Sequence, residues 1–221
     1  MANQSEEQRI VEEWLPDLEQ VIVSTVGLLA IGALYLVLGD SIRFGPPWLL
    51  LLVEGLLIAP LFISHGLLRR SLPHRLARGL AYGVLAIVVA ALIVSLARFL
   101  IALPNYQKGI KLLIDGATLW TINVLVFTTA YWEVDGGGPR MRQVTPDWQQ
   151  DFMFPQQQFN NPGKWEPGFI DYLFLAFCFS TALSPADSFP LTHRTKLMVI
   201  VQALISLVII GTIIGRAVNI L

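Results

Sequence analysis

Charge is scarce in this sequence. Asp, Glu, Lys and Arg make up 14% of its 221 residues, against roughly 25% in soluble domains, which is too few to cover a water-facing surface. Hydrophobic residues reach 54% and gather in long runs, which places the chain among membrane proteins. A single cysteine, Cys178, excludes an intramolecular disulfide. The three histidines, His65, His74 and His193, stand apart without HExxH or any other metal-ligand spacing. No P-loop, GxGxxG or GxSxG stretch occurs either, so no metal, cofactor or enzymatic chemistry is expected. A net charge of −1 with no concentrated basic face gives no reason to expect a nucleic-acid partner. Residues 1–20 are acidic and lack the basic start and apolar core of a secretory signal.

What the chain does have is a series of apolar helices. Residues 5–19 are expected to form an amphipathic surface helix: Ser5 and Gln8 make a capping box, and Ile10, Val11, Trp14, Leu15 and Leu18 recur at helical spacing. Its polar face is acidic, so anionic lipid would repel it, and a protein partner fits better. Segments 21–38, 47–68, 79–103 and 110–132 each have the length to cross a bilayer core of about 30 Å. Pro104 and the run Gly136, Gly137, Gly138, Pro139 supply the breaks after the last two. Residues 133–168 are polar but punctuated by Trp148, Phe152, Phe154, Phe159 and Trp165, which suits a loop folded on the bilayer interface or on the bundle. Segment 169–183 is short for a span and reads as a re-entrant or half-spanning helix. Segment 197–220 is the last full span. The division is therefore 1–19, 20–132, 133–168 and 169–221.

The densest basic loop, with Arg69, Arg70, Arg75 and Arg78, marks the cytoplasmic side and puts the N-terminus there. If 169–183 re-enters, His193, Arg194 and Lys196 stay on that side; if it crosses, they lie outside. Three ionisable residues fall at comparable membrane depth: Glu54, Arg98 and Asp115. Insertion costs of about 2.5–3.5 kcal/mol each demand partners. The short turn after span three predicts an Arg98–Asp115 pair, with Glu54 as a rival or additional acceptor. Its function is either to fix helix register or, with two carboxylates sharing one Arg, to relay a proton. Asn123 and Gln202 are expected to hydrogen-bond between helices. Gly79 with Gly83, and Gly211 with Gly215, permit close helix approach within the monomer or between copies.

The C-terminal quarter resembles the pore-helix and inner-helix half of potassium-channel-like cation channels. Residues 169–179 take the pore-helix place, 181–187 (Thr-Ala-Leu-Ser-Pro-Ala-Asp) the filter place, and Pro190 the following proline. Filter glycines become Ser184 and Ala186, and the tyrosine between them Pro185, so the resemblance carries a degenerate filter and no potassium-selective carbonyl ladder. What it implies is a path lined by Ser180, Thr181, Ser184 and Asp187. Over residues 120–221 the chain also resembles an uncharacterised family of bacterial polytopic membrane proteins, through the stretch Tyr131 to Pro139, then Asp151-Phe152-Met153-Phe154-Pro155-Gln156, Asp171-Tyr172-Leu173-Phe174, Ser184-Pro185-Ala186-Asp187, and residues 216–221. That resemblance implies a bacterial cytoplasmic membrane and no particular activity.

The expected fold is all-α: a transmembrane bundle of five full spans plus one short re-entrant or half-spanning helix. Two functions fit. One is a channel-like or transport role for a small cation or proton, through a homo-oligomeric C-terminal region. The other is a non-conducting membrane scaffold or accessory subunit, binding partner proteins through helix 5–19 and the aromatic loop 133–168.

Overall fold

The computed structural model describes residues 18–66, 74–106, 108–145, 148–158, 165–181, 183 and 188–220. In order, the long helices are α1 (Leu18–Val37), α2 (Leu49–Gly66), α3 (His74–Ala102) and α4 (Gly109–Val134). Short helices α5 (Pro139–Val144) and α6 (Pro155–Gln158) flank strand β1 (Phe152–Met153). Then come α7 (Phe169–Thr181), strand β2 (Phe189–Pro190) and α8 (His193–Ile220). The two strands form one antiparallel pair, Phe152 opposite Pro190 and Met153 opposite Phe189.

Helix α4 is the centre, with α1, α3, α7 and α8 packed around it. Its sequence explains the placement. Small and medium side chains such as Gly116, Thr118, Asn123, Thr128, Thr129 and Ala130 are buried along its length and let neighbours approach on several sides. Gly116 leaves no room for a methyl group, which would sit 2.6 Å from Ile213 of α8. Helix α3 ends where Pro104 enters the 3₁₀ turn Leu103–Asn105. Helix α4 ends in a second 3₁₀ turn, Asp135–Gly137, where Gly136, Gly137 and Gly138 all take positive φ.

Outward faces are apolar to a degree that water does not tolerate: Ile101, Leu207, Leu56, Ile110 and Leu197 are each at least 63% exposed. Among the described residues, three helices are long and apolar enough to cross a membrane, over Arg78–Asn105, Gly109–Gly137 and His193–Arg216. The expectation of five full spans is therefore not met. The segments expected to span at 21–38 and 47–68 contribute shorter apolar helices, Thr25–Val37 and Leu49–Ala59. The surface helix expected at 5–19 lies outside the described residues up to its last two, which open α1.

Candidate functional site

Two buried acids at one end of α4 organise the C-terminal half. Asp135, fully buried, accepts the backbone N–H of Asp151 (2.7 Å) and Phe152 (3.3 Å) on one oxygen and the Tyr172 hydroxyl on the other. Asp151, 1% exposed, binds the Arg194 guanidinium through Nε (2.9 Å) and Nη2, the Thr192 hydroxyl (2.7 Å) and the Gly136 N–H (3.2 Å). Burial alone would raise the Asp151 carboxyl. The Arg194 guanidinium and the two further donors outweigh it and hold the group below its ordinary range. Arg142 lies over the Trp132 ring, 4.6 Å from its centroid, and donates to the carbonyls of Trp132 (2.9 Å) and Asp135 (2.7 Å). Around this knot, Phe152, Phe154, Trp132 and Phe169 pack edge-on with one another or with Tyr172. The aromatics of the 133–168 loop thus fold on the bundle; Phe159 lies outside the described residues.

This knot decides the course of α7. The helix begins beside it, with Phe169 against Trp132 and Tyr172 on Asp135. Its 13 residues rise about 20 Å at 1.5 Å per residue, short of the roughly 30 Å core. At its far end Ser180 accepts a bond from Gln202 Nε2 (2.8 Å), which also reaches the Ala176 carbonyl (2.9 Å). Gln202 stands about 14 Å along α8 from His193, roughly mid-depth. By Phe189 the chain is back at the knot: β2 pairs with β1, and Thr192 and Arg194 bind Asp151. Both ends of the segment therefore lie at the same end of the bundle, beside the knot.

The mid-depth joint is itself polar and closed. Tyr131 of α4 donates to Gln202 Oε1, and Asn123 Nδ2 reaches Ser206 Oγ (3.1 Å) and the Gln202 carbonyl (3.4 Å). Asn123 and Gln202 do hydrogen-bond between helices as expected. Of the residues expected to line a path, Ser180 is 3% exposed and tied to Gln202, and Thr181 bonds back to the carbonyls of Phe177 (3.0 Å) and Cys178 (3.3 Å). Ser184 and Asp187 lie outside the described residues.

The expected intramembrane pair is not formed. Arg98 donates through Nε to the Ser41 carbonyl (3.0 Å). Asp115, 2% exposed, instead takes the Tyr106 hydroxyl (2.7 Å) and the Gly39 N–H (3.0 Å). Glu54 meets neither: it is fully buried, and no side chain among the described residues hydrogen-bonds either of its oxygens. The physical reason is local. Tyr106, in the turn only nine residues before Asp115, satisfies that carboxylate before a helix-borne arginine can, and Arg98 caps the α1–α2 loop. An open cavity of about 270 Å³ sits at this end, between Ser41, Asn105, Tyr106, Lys108 and Lys111. Among the described residues, nothing lies within 4 Å of where a Cβ would stand at Gly79, Gly83 or Gly211.

Sequence reasoning did not single out Asp135, Asp151, Arg142, Tyr172 and Arg194 as site residues. The signal was present: Asp135 opens the triple-glycine stop, and Asp151 and Tyr172 stand in the stretches that carry the family resemblance. No family model, curated protein or solved structure matches the chain.

Proposed function

We propose that this chain is a multi-pass membrane protein that moves a small cation or proton through a C-terminal region assembled around re-entrant α7 in a homo-oligomer. The observation that carries the reading is the end of α7 at the depth of Gln202. Last-turn carbonyls there present the negative end of the helix dipole to mid-membrane, which favours a cation. Backbone that leaves a helix at such depth must be wrapped in protein or face a watery cavity. One half-helix and one inner helix do not enclose a path, and the open face at Gly211 offers α8 to a neighbouring copy.

Helices α1 and α2, with Val26 and Leu56 outward and at least 60% exposed, are read as shorter apolar helices embedded beside the three long spans. The lysine and arginine distribution supports a cytoplasmic N-terminus, and the resemblance of residues 120–221 to bacterial polytopic membrane proteins implies a bacterial cytoplasmic membrane. The channel resemblance of residues 169–220 supports the conducting role, not this orientation. Flux of protons and monovalent cations into liposomes, wild type against Asp187→Asn, tests the proposal. Flux in the wild type that falls in the variant is expected; no flux under any gradient overturns it.

The second reading is a non-conducting scaffold or accessory subunit that binds partners through 5–19. It is favoured by the engagement of the Ser180 and Thr181 hydroxyls inside the monomer, and it predicts that same absence of flux.

A further inference from the structure

We propose that Glu54 is a proton-binding site inside the N-terminal half of the bundle, binding and releasing a proton at its carboxyl group. The site is independent of whether α7 conducts. Glu54 lies one and a half turns into α2, fully buried, and no side chain among the described residues hydrogen-bonds either carboxyl oxygen. It rests on α1 at Gly32: a Cβ there would fall 2.4 Å from Glu54 Oε2 and 2.6 Å from Leu51. Only a glycine leaves room for the carboxyl at that point.

The described charged and titratable groups on the helices packed against α2 are committed elsewhere. Tyr35 of α1 exchanges hydrogen bonds with the backbone of Phe44. On α3, Arg98 holds the Ser41 carbonyl, and Arg78 donates to Tyr82 at the other end of the helix. Asp115 of α4 is closed by Tyr106 and Gly39. Ser95 of α3 is the other buried side chain of α1–α3 whose polar atom has no partner among the described residues. Among the described residues an ionised carboxylate in such a place has no counter-charge and only the Gly32 backbone beside it, too little to offset its burial, so the bundle holds the neutral acid.

The ligand is a proton and not a metal cation. A dehydrated cation needs several oxygen ligands at once, and no cluster of three acidic, histidine or cysteine ligands exists among the described residues. A carboxyl group with one glycine backbone beside it satisfies a proton and nothing larger.

Infrared difference spectroscopy on the full chain in lipid, wild type minus Glu54→Gln at pH 7, tests this. The expected result is loss of a carboxylic-acid C=O band that shifts down on transfer to D₂O and disappears at alkaline pH. If the Gln variant does not fold, Glu54→Asp keeps the acid and shifts that band instead of removing it. Loss of carboxylate bands in place of the acid band overturns the proposal. So does an acid band that D₂O and alkali leave untouched, which marks a permanently neutral structural group.

Discussion

Replacing Gln202 by leucine tests how the re-entrant helix is held at depth. The side chain is fully buried and joins three groups: the Ala176 carbonyl at 2.9 Å, Ser180 Oγ at 2.8 Å, and the Tyr131 hydroxyl. Interhelical hydrogen bonds in membranes average about 0.6 kcal/mol and reach about 1.7, so three bonds amount to about 2 kcal/mol at the average. The losses are not equal. Ala176 keeps its place in the helix ladder, and Ser180 can turn to a carbonyl of its own helix, as Thr181 does with Phe177. Tyr131, fully buried, is left with no acceptor, and a stranded hydroxyl costs about 1–3 kcal/mol. The Gln202→Leu variant should therefore lose about 2–4 kcal/mol of unfolding free energy, measured by denaturant titration in mixed micelles with tryptophan fluorescence. Adding Tyr131→Phe removes the stranded group and should restore about 1 kcal/mol or more. A loss below about 0.5 kcal/mol, or strict additivity of the two substitutions, would refute the reasoning.

Two further predictions concern the knot at the end of α4. Because Asp151 is held below the ordinary carboxyl range, its pairing contributes stability above the unfolded value near 3.9 and loses it as pH falls through the folded value. Thermal stability should be flat from about pH 7 to 5 and decline below about 4, and Asp151→Asn should flatten the acid limb while lowering the neutral plateau. Gly138 has φ 99° and ψ 167°, a region essentially confined to glycine. Gly138→Ala should cost about 1–3 kcal/mol in the same unfolding assay; an unchanged midpoint would mean the turn is not as described.

Much of the frame was legible in the residues. Pro104 and the glycines at 136–138 end helices where expected, Asn123 and Gln202 bridge helices, and 169–183 holds a helix shorter than a full span. What was not legible depends on register between distant segments. Whether Asp115 meets Arg98 or Tyr106 is decided by rotation of α4 about its axis, and apolar periodicity fixes that rotation poorly when helices are hydrophobic all round. Arg194 reaches Asp151 across 43 positions through the strand pair, which no local pattern announces. Glu54 was read as a partner of Arg98 because depth along a helix is countable and azimuth is not. The glycine pairs are a similar case, since the motif is the same inside a monomer and between copies.

The central claim is that the chain enters and leaves the membrane on one face between α4 and α8, with α7 ending inside. Single cysteines placed at Glu166, Leu191 and Asn105 in a Cys178→Ser background, labelled in sealed vesicles with a membrane-impermeant maleimide, address it directly. Positions 166 and 191 should label from the same face, and position 105 from the opposite one. Labelling of 166 and 191 from opposite faces would mean that α7 crosses, and would contradict the account.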